Sequence, residues 1–175
     1  ENAASYLRIL APLTKMRATR QGIECASKGL EVVGGNGYIE DWPMARQFRD
    51  AQCHTIWEGA DNIMVLDSLR AMAKHQSHEP LLQRVSSIAA QAKHPSLQAP
   101  RKAIEAGLGV ARDALTRMAS AEGEEALAMS KHLADLFCDL VQGALLVEDA
   151  SEEISKAGSG RKALMARIYC ENRLA

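Results

Sequence analysis

Aromatic residues make up only 4% of this 175-residue chain, with two Trp, three Tyr and two Phe. That is too little for a sheet protein, whose strands are enriched in aromatic and β-branched residues. No stretch alternates apolar and polar residues over strand lengths, and no repeat of fixed period appears. Asp, Glu, Lys or Arg interrupts every apolar run before it nears the roughly 18 residues of a membrane span, so no membrane crossing is expected. Cys25, Cys53, Cys138 and Cys170 lie far apart, without the two-residue pairing of a zinc or redox motif, and are expected to be reduced structural thiols of a cytoplasmic protein. His75 and His78 have a spacing compatible with metal, but they share a polar connector with no cysteine nearby, so no metal site is expected. The chain opens on Glu1 without a charged leader and cleavage pattern, and is expected to be a piece of something longer.

Ala and Leu carry most of the 47% apolar content, which favours helices. Apolar residues recur at helical spacing along Pro12 to Val33 (Leu13, Met16, Ile23, Ala26, Leu30), where Pro12 suits a first turn. Further helices are expected from Pro43 to about Ala51, Gly59 to Lys74, Pro80 to about Ala92, within Leu97 to Ser120, from about Glu124 to Ser155, and from Arg161 to about Arg173. Gly34-Gly35 and Gly158-Ser159-Gly160 read as breaks. The predicted fold class is all-α, an up-and-down helical bundle. A boundary falls near residue 75, dividing residues 1–75, which hold the chemical signals, from an additional helical segment, 76–175.

Two stretches could carry chemistry. Glu58 stands between Trp57, able to desolvate one side, and Gly59, where a ligand can approach the backbone. Burial raises a carboxyl pKa and a helix dipole lowers it, and a shielded carboxylate suits removal of a proton from carbon. The same residues would equally serve a plain helix cap. Gly34-Gly35-Asn36-Gly37 can turn backbone N–H groups toward an anion such as a pyrophosphate, yet a bare turn uses the same residues, and no strand precedes it as the dinucleotide fingerprint requires.

Taken together and in this order, Val33-Gly34-Gly35-Asn36-Gly37-Tyr38, Arg49-Asp50-Ala51 and Ile56-Trp57-Glu58-Gly59 closely resemble the C-terminal domain of acyl-CoA dehydrogenases, over roughly Leu10 to Lys74. Ala11-Pro12 with Lys15, Glu31 in place of the usual Gln, Trp57 in place of the usual Tyr, and Asn62-Ile63-Met64 narrow the resemblance to the AidB branch, whose members carry an extra helical C-terminal segment. The resemblance implies α,β-dehydrogenation of an acyl-CoA thioester by FAD, with Glu58 as the base and Gly59 beside the acyl-CoA. It implies that the Glu58 backbone N–H and a flavin hydroxyl hold the thioester carbonyl. Glu31, Val32, Val33, Gly34 and Gly35 correspond to the segment that meets the adenylate half of FAD bound mainly to a neighbouring subunit; Ala60 and Asn62 fall near the base, where the usual Thr and Gln are absent. The N-terminal helical and middle β-domains of the family cannot be built from this chain, so the fragment is expected neither to hold FAD tightly nor to turn over acyl-CoA alone.

The family's assembly habit implies a homo-oligomer. The AidB branch adds an alternative, a DNA-binding or DNA-protective role. Residues 76–175 hold 12 Lys and Arg against 13 Asp and Glu, a net of −1, so only a local face through Arg101, Lys102, Arg112, Arg161, Lys162 and Arg167 could serve it.

Overall fold

The computed structural model describes residues 2–121, 123–158 and 160–174. It contains α1 (Asn2–Val33), α2 (Gly35–Tyr38), α3 (Pro43–His54), α4 (Asp61–His75), α5 (His78–Gln91), a 3₁₀ turn at Pro95–Leu97, α6 (Gln98–Ser120), α7 (Glu124–Ala157) and α8 (Arg161–Arg173). No strand occurs among the described residues, and short connections join the helices into the expected all-α bundle.

The apolar stripes explain the packing. α1 lies against α3, α4, α5 and α7, while α6, α7 and α8 pack on one another. One cluster of buried side chains runs through Ile9, Leu13 and Met16 of α1, Val65 of α4, Leu81 and Val85 of α5, Ile104 and Leu108 of α6, Phe137, Leu140 and Val147 of α7, and Ala166 and Cys170 of α8. Residues on both sides of position 75 therefore share a core. Gly107 and Gly143 let the last three helices approach closely: a Cβ there would lie 3.0 Å from Leu140 Cδ2 and 3.1 Å from Cys170 Sγ.

α1 starts ten residues earlier than the sequence predicts, with Pro12 inside it. The ring removes one helical hydrogen bond, at roughly 3 kcal/mol. Burial of Ile9, Leu13 and Met16, each 2% exposed or less, contributes about 1.5–3 kcal/mol apiece and outweighs it. A single helical turn, α2, stands where a loop is predicted. It wedges against the end of α1 so closely that a Cβ on Gly37 would land on the Leu30 carbonyl.

No helix among the described residues is long and apolar enough to cross a membrane. No group of three metal-ligating side chains occurs among them either. The cysteines are free, Cys25 and Cys53 exposed, Cys138 and Cys170 buried. Burial pushes both inner thiols up to about 11.

Candidate functional site

The turn between α3 and α4 carries Glu58. α3 ends in a locked corner: the buried Thr55 hydroxyl donates to Gln52 O at 2.8 Å and accepts from Gln52 Nε2 at 2.6 Å. Trp57 N–H then closes the last turn on Cys53 O at 3.1 Å, and the Trp57 ring lies tilted against His54, centroids 5.4 Å apart. Glu58 follows at φ 55° and Gly59 at φ 109°, two consecutive left-handed residues. For Glu58 this conformation costs on the order of 1–2 kcal/mol. Gly59 is favoured by its φ, which strains any side chain, and a Cβ there would also push Met64 Cε, 2.7 Å away, and crowd Ile63 Cγ2 at 3.1 Å.

These angles move the start of α4. The sequence predicts a helix from Gly59, whereas the backbone becomes helical only at Asp61, after an extended Ala60 that offers no capping side chain. Glu58 thus stands outside the helix rather than at its mouth, and its side chain is exposed. Trp57 is 54% exposed, and Ile56 and Ile63 are exposed as well, so this chain by itself does not desolvate the carboxylate.

Two cations of α1 hold the turn. Lys15 Nζ donates to the Gly59 carbonyl, and Arg20 Nε meets Asp61 Oδ2 at 2.8 Å. Lys15 is half-buried, and the Asp61 side chain is only 16% exposed. Sequence reading missed these roles, since a cation on an amphipathic helix carries no sign of whether it meets water or a carbonyl. A third cation, Arg8, pairs through both terminal nitrogens with Asp67 at 2.6 and 2.7 Å, and these hydrogen bonds hold the Asp67 carboxyl below its ordinary range.

The glycine loop lies elsewhere. Glu31, Val32 and Val33 end α1, all exposed, with Val32 the most open at 88%. Gly34, at φ 70°, donates its N–H to Glu31 O at 3.0 Å. A Cβ on Gly34 or Gly35 would meet nothing within 4 Å, so the loop faces open space. Glu31 is sixteen residues beyond Lys15 on one continuous helix, roughly 24 Å at 1.5 Å per residue. Ala60 and Asn62 lie beside Glu58, whereas Glu31 to Gly35 do not: the chain presents two separate edges.

For the FAD that the resemblance implies, the residues fit as a fringe. The open Gly34-Gly35 edge has room for a flat or phosphorylated group, while Ala60 supplies no side-chain donor. Asn62 lines a groove of about 500 Å³ with Val65, Leu66 and, from α7, Leu127 and Lys131. On the DNA side, Arg101 pairs with Glu105, Lys162 with Asp149 and Arg167 with Glu171, which removes three cations from the basic face.

Residues 1–73 match the family model described as acyl-CoA dehydrogenase, C-terminal domain. Acyl-CoA dehydrogenase family member 11 of Caenorhabditis elegans is 30% identical over 177 aligned residues, covering 98% of this chain and 28% of the relative. The putative acyl-CoA dehydrogenase AidB of Escherichia coli is 35% identical over 79 residues, 45% of this chain and 15% of AidB. Other acyl-CoA dehydrogenases align at comparable identity over a similar share of the chain, so these matches do not single out the AidB branch. The crystal structure of Caenorhabditis elegans ACDH-11 in complex with C11-CoA superposes with a TM-score of 0.88 at 26% identity, over 99% of this chain and 30% of that one. This chain thus spans less than a third of the length of these relatives. By sequence and by fold, residues 1–73 are similar to the C-terminal domain of the acyl-CoA dehydrogenases.

Proposed function

We propose that this chain is the C-terminal portion of an FAD-dependent acyl-CoA dehydrogenase in which Glu58 is the base. The observation that carries this reading is the Glu58-Gly59 turn: a carboxylate held in a left-handed conformation, followed by a glycine at φ 109°, where any side chain would be strained. Strain of this kind concentrates at working sites.

Glu58 takes the α-proton of the acyl-CoA thioester as the C–H electron pair moves into the forming α,β double bond. Bound FAD supplies the acceptor for the hydride that leaves the β-carbon. The Glu58 backbone N–H holds the thioester oxygen as negative charge develops there. Gly59 leaves room for the thioester. Ala60 and Asn62 border the flavin through backbone groups, and Glu31, Val32, Val33, Gly34 and Gly35 meet the adenylate half of a flavin held by a neighbouring subunit. The spacing of roughly 24 Å along α1 between Lys15 and Glu31 supports that division between subunits, as does the exposed apolar surface of Val32, Val33, Tyr38, Ile39 and Trp42 beside the loop. Residues 1–75 form part of the catalytic domain, and residues 76–175 are an additional segment sharing its core. The whole-chain alignment with family member 11 supports counting that segment as a feature of the parent enzyme.

The test is Glu58→Gln in the full-length, flavin-loaded parent, mixed anaerobically with short, medium and long acyl-CoAs. Flavin bleaching slows by at least about a hundredfold, the usual contribution of a positioned base, with FAD content unchanged. Equal bleaching in both proteins overturns the assignment.

A further inference from the structure

We propose that Lys15 is the positioning residue of the Glu58 turn, its ammonium clamping the Gly59 carbonyl and so keeping Glu58 left-handed; this rests on Glu58 being the base. Between α3 and α4 the backbone passes from one hydrogen-bonded turn to another. The last bond of the first is Trp57 N–H to Cys53 O, at 3.1 Å. The first bonds of the second run to Ala60 O, from Ile63 N–H at 2.9 Å and Met64 N–H at 3.2 Å. Glu58 and Gly59 fall between these two sets, and both have positive φ. The peptide plane joining Gly59 to Ala60 is fixed by what its carbonyl meets, and it meets Lys15 Nζ.

The pairing is selective. Lys15 faces a main-chain carbonyl, while Arg20, further along the same helix, takes the Asp61 carboxylate and fixes the first residue of α4. Lys15 is itself held on a half-buried face of α1, next to the buried Met16. Its clamp comes from a rigid helix rather than from the loop it restrains, the arrangement that gives a site its precision. Without the clamp, the 59–60 peptide is free to rotate, and Glu58 can relax to the negative φ that a side chain prefers. The carboxylate then leaves the line of attack on the α-proton, where a displacement near 1 Å costs about a hundredfold in rate.

The experiment uses Lys15→Met and Lys15→Arg in the full-length, flavin-loaded parent, with Glu58→Gln alongside, and a crystal structure of the present chain carrying Lys15→Met. Lys15→Met lowers the limiting bleaching rate at saturating acyl-CoA by roughly tenfold to a hundredfold. Its acyl-CoA dissociation constant and FAD content stay near the parent's, and Lys15→Arg, which keeps a donor, recovers most of the rate. In the crystal structure Glu58 leaves the left-handed region. Where Lys15→Met does not fold, Lys15→Leu, which also has no donor, carries the same readouts. A parental limiting rate in the methionine variant, or a positive Glu58 φ in its structure, overturns the proposal. Parental bleaching by Glu58→Gln overturns the base assignment instead, a separate result because the backbone readout does not depend on turnover.

Discussion

Arg17 on α1 lies 3.0 Å from Asp139 on α7, and the two side chains are only 12% and 13% exposed. Around them Tyr169 of α8 donates to Asp139 Oδ1 at 3.0 Å or Gln142 Oε1 at 2.7 Å, Arg17 donates to Asp135 O at 2.9 Å, and Gln142 Nε2 reaches Gln21 Oε1 at 3.1 Å. Burial raises the Tyr169 pKa, and Asp139 raises it further. Lys15 and Arg17 are two positions apart, which on a helix turns them to different faces. α1 therefore joins the Glu58 turn on one side to the additional segment on another.

Arg17→Leu should leave Asp139 and Tyr169 without their cation. Breaking a buried pair costs about 3–5 kcal/mol, and the residual exposure here places the effect near the lower end. Thermal unfolding should fall by roughly 6–12 °C for a chain of this size. The double variant Arg17→Leu, Asp139→Leu should recover part of that loss, because no charge is left buried alone. A double variant as unstable as the sum of the singles would mean that the two residues do not act as a pair.

The Arg8–Asp67 pair gives a pH dependence. Folding lowers the Asp67 pKa, so the folded chain binds this proton less readily than the unfolded one. The stabilisation is complete above the ordinary carboxylate range and is lost as pH falls through the lowered folded value. Both side chains keep partial contact with water, 38% and 29% exposed, which limits the effect to about 1 kcal/mol. Arg8→Met should thus unfold at lower temperature than the parent at pH 7, and the gap should close in acid below that range. A gap of constant size at both pH values would assign it to lost packing.

Most helices were legible because their apolar stripes repeat at helical spacing, as with Leu81, Val85 and Ile88 on α5 or Ile104, Leu108 and Ala111 on α6. The start of α1 was not, since Pro12 carries the local signal of a first turn while the burial that overrides it depends on residues far along the chain. Leu127 belongs to the α7 stripe by spacing, yet it is 53% exposed at the edge of a groove. The types of the site residues could be read locally, but their conformation could not. Beside the positive φ of Glu58, Lys15 bonds the Gly59 carbonyl, a contact from another helix that has no local signature. The Arg17–Asp139 pair has no local signature either, since its partners lie 122 residues apart.

Glycines of the 34–37 loop should separate by cause. Gly37→Ala drives a Cβ onto the Leu30 carbonyl, a backbone group that cannot yield without moving α2. Gly34→Ala has space but keeps φ at 70° with ψ at −144°, outside the left-handed helical well, a cost of about 1–3 kcal/mol. Gly35→Ala has space and no positive φ, so it should be neutral to slightly stabilising. Unfolding midpoints should rank Gly35→Ala highest and Gly37→Ala lowest. A Gly37→Ala chain as stable as the parent would mean that α2 is free to lift from α1.

Glu58 and Gln76, at φ 55° and 48°, are the two residues other than glycine with positive φ among those described, and they bracket α4. At Gln76 the conformation is a helix stop: its N–H bonds Met72 O at 2.9 Å, where glycine is the usual residue. Replacing either by glycine relieves about 1–2 kcal/mol of left-handed strain, against about 0.4–1 kcal/mol for the greater freedom of the unfolded chain. Both Gln76→Gly and Glu58→Gly should therefore unfold at or slightly above the parental temperature, by up to about 1 kcal/mol. Glu58→Ala keeps the Cβ, hence the strain, and should gain nothing. Function should divide them differently. In the full-length parent, Gln76→Gly should reduce flavin at the parental rate, whereas Glu58→Gly and Glu58→Ala should both lose at least about a hundredfold. A destabilised Glu58→Gly would show that the turn stores no strain at this position. A stabilised and inactive one would mean that the left-handed carboxylate is kept at the expense of the fold.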